Sequence, residues 1–120
     1  MPRRDSKTMS RSQTTVIVNG IIFNMPIRSR PMPRPRVTRK GTYYGNGYDA
    51  WREKAVLLVR SAWLNQGKPP INEPYDVAIL IDTRMGDLDN HIKSWLDIFQ
   101  CAGILKDDRY VMKICAERIL

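Results

Sequence analysis

Histidine and cysteine are nearly missing from this 120-residue sequence, which has one of the first and two of the second. A lone His91 leaves no His/Cys ligand set, and Cys101 and Cys115 lack the close paired spacing of a structural zinc site. The two thiols read as reduced, partly buried side chains, one near a helix end and one inside a strand, rather than as a disulfide. His91 reads as a solvated helix residue rather than a base. No apolar run approaches the roughly 20 residues needed to span a bilayer, so no membrane partner is expected. The polar opening Met1-Pro-Arg-Arg-Asp-Ser has no apolar core for a signal peptide, and a cytoplasmic setting is the expectation. Internal repeats are also absent.

Acidic residues are scarce at the front. Residues 1–60 hold thirteen Lys/Arg against three Asp/Glu, and residues 61–120 hold seven against nine, for a net charge of +8. The front half therefore attracts polyanions while the back half collects carboxylates. Residues 1–13 are basic and aperiodic and read as a disordered arm. Residues 14–120 read as one domain, since a chain of this length has room for a single core.

Within that domain Thr14 to Phe23 reads as a strand, broken by a turn or bulge near Asn19-Gly20. Pro26 to Pro35 is a loop of prolines and arginines, and Arg36 to Tyr44 suits a hairpin. Apolar residues at helical spacing from Trp51 to Trp63 predict a helix over 48–64, ended by Gly67 and Pro69-Pro70. Tyr75 to Ile81 predicts a strand, with Ala78 and Leu80 implying cover on both faces. A helix over about 90–102 is marked by Ile92, Trp95, Leu96 and Phe99, with Gly103 as its stop. Arg109 to Ile119 predicts a last strand. The class is α/β, or α+β: a small mixed β-sheet packed with two helices.

The chemical centre is Gly86-Asp87-Leu88-Asp89-Asn90. In extended chain Asp87 and Asp89 point to one side while Leu88 packs inward. Asp107-Asp108 fills the next turn, and a strand–helix–strand excursion is expected to bring both turns to one end of the sheet. Two carboxylates about 5 Å apart, at an effective dielectric near 20, repel by roughly 3 kcal/mol. A hard divalent cation removes that penalty, and Mg²⁺ takes carboxylate oxygens while keeping several waters. The alternatives are plain: Asp89 or Asn90 could cap the helix, Asp107-Asp108 could merely turn the chain, and Lys93 could pair with Asp89 and Asp97. Upstream, Arg28, Arg30, Arg34, Arg36, Arg39 and Lys40 run without an acidic residue, followed by Tyr43 and Tyr44. Arginine forks fit phosphate oxygens and tyrosines stack on unpaired bases; a solvated basic loop is the competing account.

The stretch Asp87-Leu88-Asp89-Asn90-His91-Ile92-Lys93, then Asp97, Gly103-Ile104-Leu105 and Asp107-Asp108, resembles the signature of RusA-type Holliday-junction resolvases. Arg34-Pro35-Arg36-Val37-Thr38, Tyr43-Tyr44 and Trp51 resemble the family's R-P-R segment and the helix after it. The similarity spans about residues 15–119. It implies a small homodimer that binds four-way DNA junctions and cuts two strands symmetrically with Mg²⁺, with Mn²⁺ as a workable substitute. Position by position, Asp87, Asp89 and Asp108 match the family's catalytic, metal-binding aspartates, Lys93 its catalytic lysine and Asp107 the neighbouring acidic position. The family commonly has a further strand after the last one seen here, and the N-terminal arm is extra. Such proteins are common in phages and prophages. Flap or replication-fork DNA remains open as substrate, and so does a non-catalytic nucleic-acid-binding module.

Overall fold

The computed structural model describes residues 13–33, 36–38, 41–43 and 47–119. The proposed arm, apart from Gln13, lies outside the described residues. Strand β1 (Thr14–Val18) turns through Asn19-Gly20 into β2 (Ile21–Met25). The pairing of Val18 with Ile21 leaves a two-residue loop, with φ of 51° at Asn19 and 83° at Gly20. Positive φ at both positions is what a hairpin turn matched to strand twist demands, and Asn-Gly supplies it at least cost. The long strand of the sequence reading is thus a hairpin. Strands β3 (Arg36–Thr38) and β4 (Gly41–Tyr43) form a second antiparallel pair.

Helix α1 (Tyr48–Asn65) precedes β5 (Tyr75–Ile81), helix α2 (Leu88–Cys101) follows, and a 3-10 turn (Asp108–Tyr110) leads into β6 (Val111–Arg118). The main sheet runs in the order β2-β1-β5-β6. β1 pairs antiparallel with β2 and β5, while β5 and β6 are parallel. The result is a mixed four-stranded sheet packed with two helices, as the periodicities predict.

Period-two alternation puts Val16, Val18, Phe23, Met25, Val77, Ile79 and Ile81 on one buried face, where they meet Ala55, Val59, Trp95, Ile98 and Phe99 of the helices. Phe23 and Phe99 meet edge to face at 5.0 Å, a geometry that adds about 0.5–1.5 kcal/mol beyond area burial. The opposite face is uncovered among the described residues: Ala78 and Leu80 are half-buried while Ile22 and Asp76 are exposed. The expectation of a β5 covered on both sides is therefore corrected, because both helices pack on the same side. Cys101 and Cys115 are free and exposed rather than partly buried. Cys101 sits at the outer end of α2, and Cys115 pairs with Ala78 on the uncovered face. Among the described residues no helix is long and apolar enough to cross a membrane.

Candidate active site

Helix α2 begins at Leu88, two residues before the sequence reading placed it, and Asp87 is its N-cap at φ −84° and ψ 146°. Asp87 occupies the capping position without using its carboxylate, which makes no cap hydrogen bond. Asp89 lies in the first turn and Lys93 one turn later, so both project from one helix face beside Asp87. Leu88 turns inward against the core. Asp87, Asp89, Asn90 and Lys93 open on a cleft of about 670 Å³, walled on the other side by residues 31–33. Asp87 is extended and Asp89 helical, and both line the same cleft. A helix N-terminus favours nearby negative charge by only about 0.3–1 kcal/mol, less than the roughly 3 kcal/mol of mutual repulsion at close range. Neither carboxylate has a hydrogen-bond or ion-pair partner among the described residues, so two anionic oxygen donors line one cleft with no ion pair to either. That donor set fits a hard divalent ion.

Lys93 is exposed in the cleft. Its ion-pair reading fails for Asp97, whose carboxylate accepts from Arg52 Nε at 2.6 Å. Arg52 lies on α1, so this pair ties the two helices together and leaves Lys93 facing the aspartates.

The loop from β5 to Asp87 is held from three directions. Gly86 adopts φ +71°, and a Cβ built there would stand 2.5 Å from Pro31 Cγ and 2.7 Å from Pro31 Cβ. Only glycine permits that approach, because a proline ring fused to the backbone cannot swing aside. Arg118, at the end of β6, donates to the carbonyls of Thr83, at 2.6 Å, and of Gly86. His91 donates from Nε2 to the Met85 carbonyl, and its Nδ1 stands 2.6 Å from Ser29 Oγ. The solvated histidine of the sequence reading is in fact fully buried. Burial holds its pKa below the ordinary histidine value, the Met85 carbonyl acts the other way, and the Arg118 guanidinium adds to the lowering.

Asp107 and Asp108 are not part of this cluster. Parallel β5 and β6 share their C-terminal ends at Ile81 and Arg118 and their N-terminal ends at Tyr75 and Val111. Asp87 follows the first end and Asp108 precedes the second. The two turns are separated by the length of β5, ~20 Å at 3.3 Å per residue. Convergence of both turns within one chain is therefore overturned, for a parallel crossover necessarily enters and leaves its helix at opposite ends of the sheet. Among the described residues no group of three metal-ligating side chains forms. Asp107 caps the 3-10 turn, accepting from Arg109 N at 3.0 Å and pairing with Arg109 Nε at 3.2 Å. The backbone bond from Arg109 is the main cause of its lowered pKa.

Of the basic run, Arg28 is exposed and Arg30 half-buried beside the cleft wall, both engaged in interactions within the fold. Arg36 and Tyr43 are backbone register partners across β3 and β4. Arg34, Arg39, Lys40 and Tyr44 lie outside the described residues. Pro33, which precedes Arg34 in sequence, lines the cleft. Sequence reasoning missed Pro31, Met32, Ser29 and Arg118. Met32 N donates to the Asn90 carbonyl at 2.9 Å, and neither partner carries a motif that announces the contact. Exposed Arg84, on the loop before Asp87, was also missed; its nearness to Asp87 in sequence was the available signal.

A family model described as Endodeoxyribonuclease RusA matches residues 26–120. No curated protein matches the chain.

Proposed function

The chain belongs to the RusA endodeoxyribonuclease family, and from that premise we propose that it is a Mg²⁺-dependent endonuclease resolving four-way DNA junctions as a twofold homodimer. Membership makes it a nuclease acting on DNA; the substrate geometry, metal and assembly are our reading. The observation that carries it is the pair Asp87 and Asp89, unneutralised by any described side chain and sharing a cleft with Lys93. Capping and turn formation do not account for that pair, because no cap bond is made.

A bound Mg²⁺ would polarise the scissile phosphate and lower the pKa of an attacking water, and Mn²⁺ offers the same coordination preferences. Asp87 and Asp89 supply hard anionic oxygens for it. Lys93 brings a positive charge to the same cleft, where it stabilises negative charge developing on the phosphate. The segment 31–33 borders the cleft, and the arginines before and after it in sequence are suited to bringing the backbone of the duplex there.

Asp108 fits the same reading through a second copy. Its distance from Asp87 in one chain removes it as a ligand in cis. A twofold dimer that docks Asp108 of one protomer against the α2 N-terminus of the other completes a three-aspartate set twice over. Two sites related by twofold symmetry also match the like-polarity strands of a four-way junction, which need two cuts. Asp107, already engaged by Arg109, is left out of the metal set. The setting we assign is the cytoplasm of a bacterium, or of the host if the gene is a phage's.

The test is cleavage of labelled four-way, flap, fork and linear DNA with Mg²⁺ and with chelator, by the native protein and Asp89→Asn. Paired symmetric cuts in four-way DNA, abolished by chelator and by the substitution, support the proposal. Cutting confined to flaps or forks replaces the substrate and keeps the metal site. Binding without metal-dependent cutting of any substrate overturns the enzyme reading of this site.

A further inference from the structure

The segment that presents Asp87 has an unusual problem. Between the end of β5 and the start of α2, its carbonyls have neither a strand ladder nor a helix to donate to them, and each is left to a side chain or to water. Three of them, on Thr83, Met85 and Gly86, are instead met by side chains. Two belong to Arg118. The third belongs to His91, which reaches the segment twice. Its backbone amide donates to the Asp87 carbonyl at 3.2 Å, and its ring Nε2 donates to the Met85 carbonyl. One residue therefore brackets the Gly86-Asp87 pair.

The tautomer of that ring follows from its partners. A carbonyl only accepts, so Nε2 carries the proton. Trp95 Nε1 only donates, and it gives its proton to Ser29 Oγ at 2.8 Å. Ser29 Oγ, 2.6 Å from His91 Nδ1, is then free to donate its own hydrogen to that nitrogen. Every donor and acceptor is used once: Trp95 to Ser29, Ser29 to His91, His91 to Met85. His91, Trp95 and Ser29 are fully buried, which makes each of these bonds expensive to lose and the arrangement single-valued. The chain starts in the core and passes through Ser29, in the basic segment between Arg28 and Arg30. It ends two residues before the first metal-binding aspartate.

Resting on the metal-site reading above, we propose that His91 is a positioning residue for the metal loop, fixing Asp87 by holding the carbonyls on both sides of Gly86. It touches neither DNA nor metal and takes no part as a base. Its contribution is to keep the N-terminal aspartate where a cation and the helix-borne Asp89 require it, and groups of this kind outside the ligand set are commonly worth roughly 10- to 100-fold in metal affinity or activity.

The experiment compares two amides at this position. In His91→Gln the side-chain amide nitrogen stands where Nε2 stands and still reaches the Met85 carbonyl. His91→Asn is one methylene shorter and reaches only the Nδ1 position. Both bury an amide, so a residue that merely fills the core is disturbed alike by either. Hydrogen exchange at the Met85 and His91 amides, which donate to Thr83 Oγ1 and to the Asp87 carbonyl, junction affinity and single-turnover cleavage are measured on all three proteins. The proposal expects His91→Gln to keep the loop amides protected and cleavage near native. It expects His91→Asn to lose loop protection and roughly 10- to 100-fold of cleavage with junction affinity unchanged. Equal behaviour of the two variants, or native cleavage by His91→Asn, overturns it. Should His91→Asn fail to fold, the ring is read in the native protein by ¹⁵N NMR. A slowly exchanging Nε2 proton with bare Nδ1 supports the anchoring, and the opposite tautomer or a rapidly exchanging proton refutes it. If the native protein cuts no branched DNA, the functional proposal falls, while the exchange comparison still decides whether His91 holds the loop.

Discussion

Asp87, Asp89 and Lys93 occupy positions where ordinary helix chemistry would have offered each a modest job, and the structure gives them none of those jobs. A residue left without structural work at the rim of a cleft is one whose removal spares the fold. Asp89→Asn keeps the shape of the side chain and its polarity while discarding the charge. It is expected to leave circular dichroism and junction binding unchanged and to abolish cleavage; native turnover would remove Asp89 from the metal set. Lys93→Ala tests the cation. As a group stabilising charge at the phosphate it is expected to cost about 100-fold or more in single-turnover rate at unchanged affinity. A residue serving only as a helix ion-pair partner would instead cost a few tenths of a kcal/mol of stability, about 0.2–0.5. The two magnitudes are far enough apart for one rate measurement and one melt to choose between them.

At the scale of elements, the loop between β5 and α2 decides whether those side chains meet. Gly86 is its tightest point. Gly86→Ala adds a methyl group at 2.5 Å from the Pro31 ring and forces an L side chain to φ +71°. Strain at a left-handed position costs of order 1–3 kcal/mol, and displacing the ring adds to it. The variant is expected to melt at lower temperature and to cut junctions poorly, as the cleft wall and the aspartates are pushed apart together. A native melt with native cleavage would show that the loop yields there. The basic element beside it is expected to govern affinity rather than chemistry. Charge removal at Arg34 and Arg36 should weaken binding and flatten its salt dependence, by about 0.9 in log–log slope for each phosphate no longer neutralised. An unchanged slope places the DNA elsewhere.

For the whole molecule, the parallel pairing of β5 with β6 is decisive, because it sends Asp108 to the far end of the sheet. If a second copy supplies it, two dead variants can rescue each other. Mixing Asp89→Asn with Asp108→Asn then gives heterodimers in which one site carries both substitutions and the other carries neither. Such mixtures are expected to nick one strand of a junction, although each variant alone is inert. With Asp87, Asp89 and Asp108 acting in one chain, both sites of every heterodimer stay dead. Absence of nicking in a mixture shown by mass to contain heterodimers would sink the shared site.

Local pattern was enough for the sequence to determine the two helices and the strands, and to mark the acidic and basic positions that line the cleft. Ile92, Trp95, Leu96 and Phe99 recur at helical spacing, Val77, Ile79 and Ile81 at strand spacing, and Asp87, Asp89 and Lys93 lie within two helical turns of each other. Each of those features is set by neighbours a few residues away, which is the range that periodicity reports. Tertiary structure alone decided which end of the sheet receives Asp108, which face of β5 is covered, and what becomes of His91. Strand direction depends on pairing between segments more than thirty residues apart, and local propensity carries no sign for it. His91 reads as a surface residue because its buried partner Ser29 is 62 positions upstream. A polar side chain is stable in a core only when such distant partners are brought to it, and no local pattern encodes that meeting.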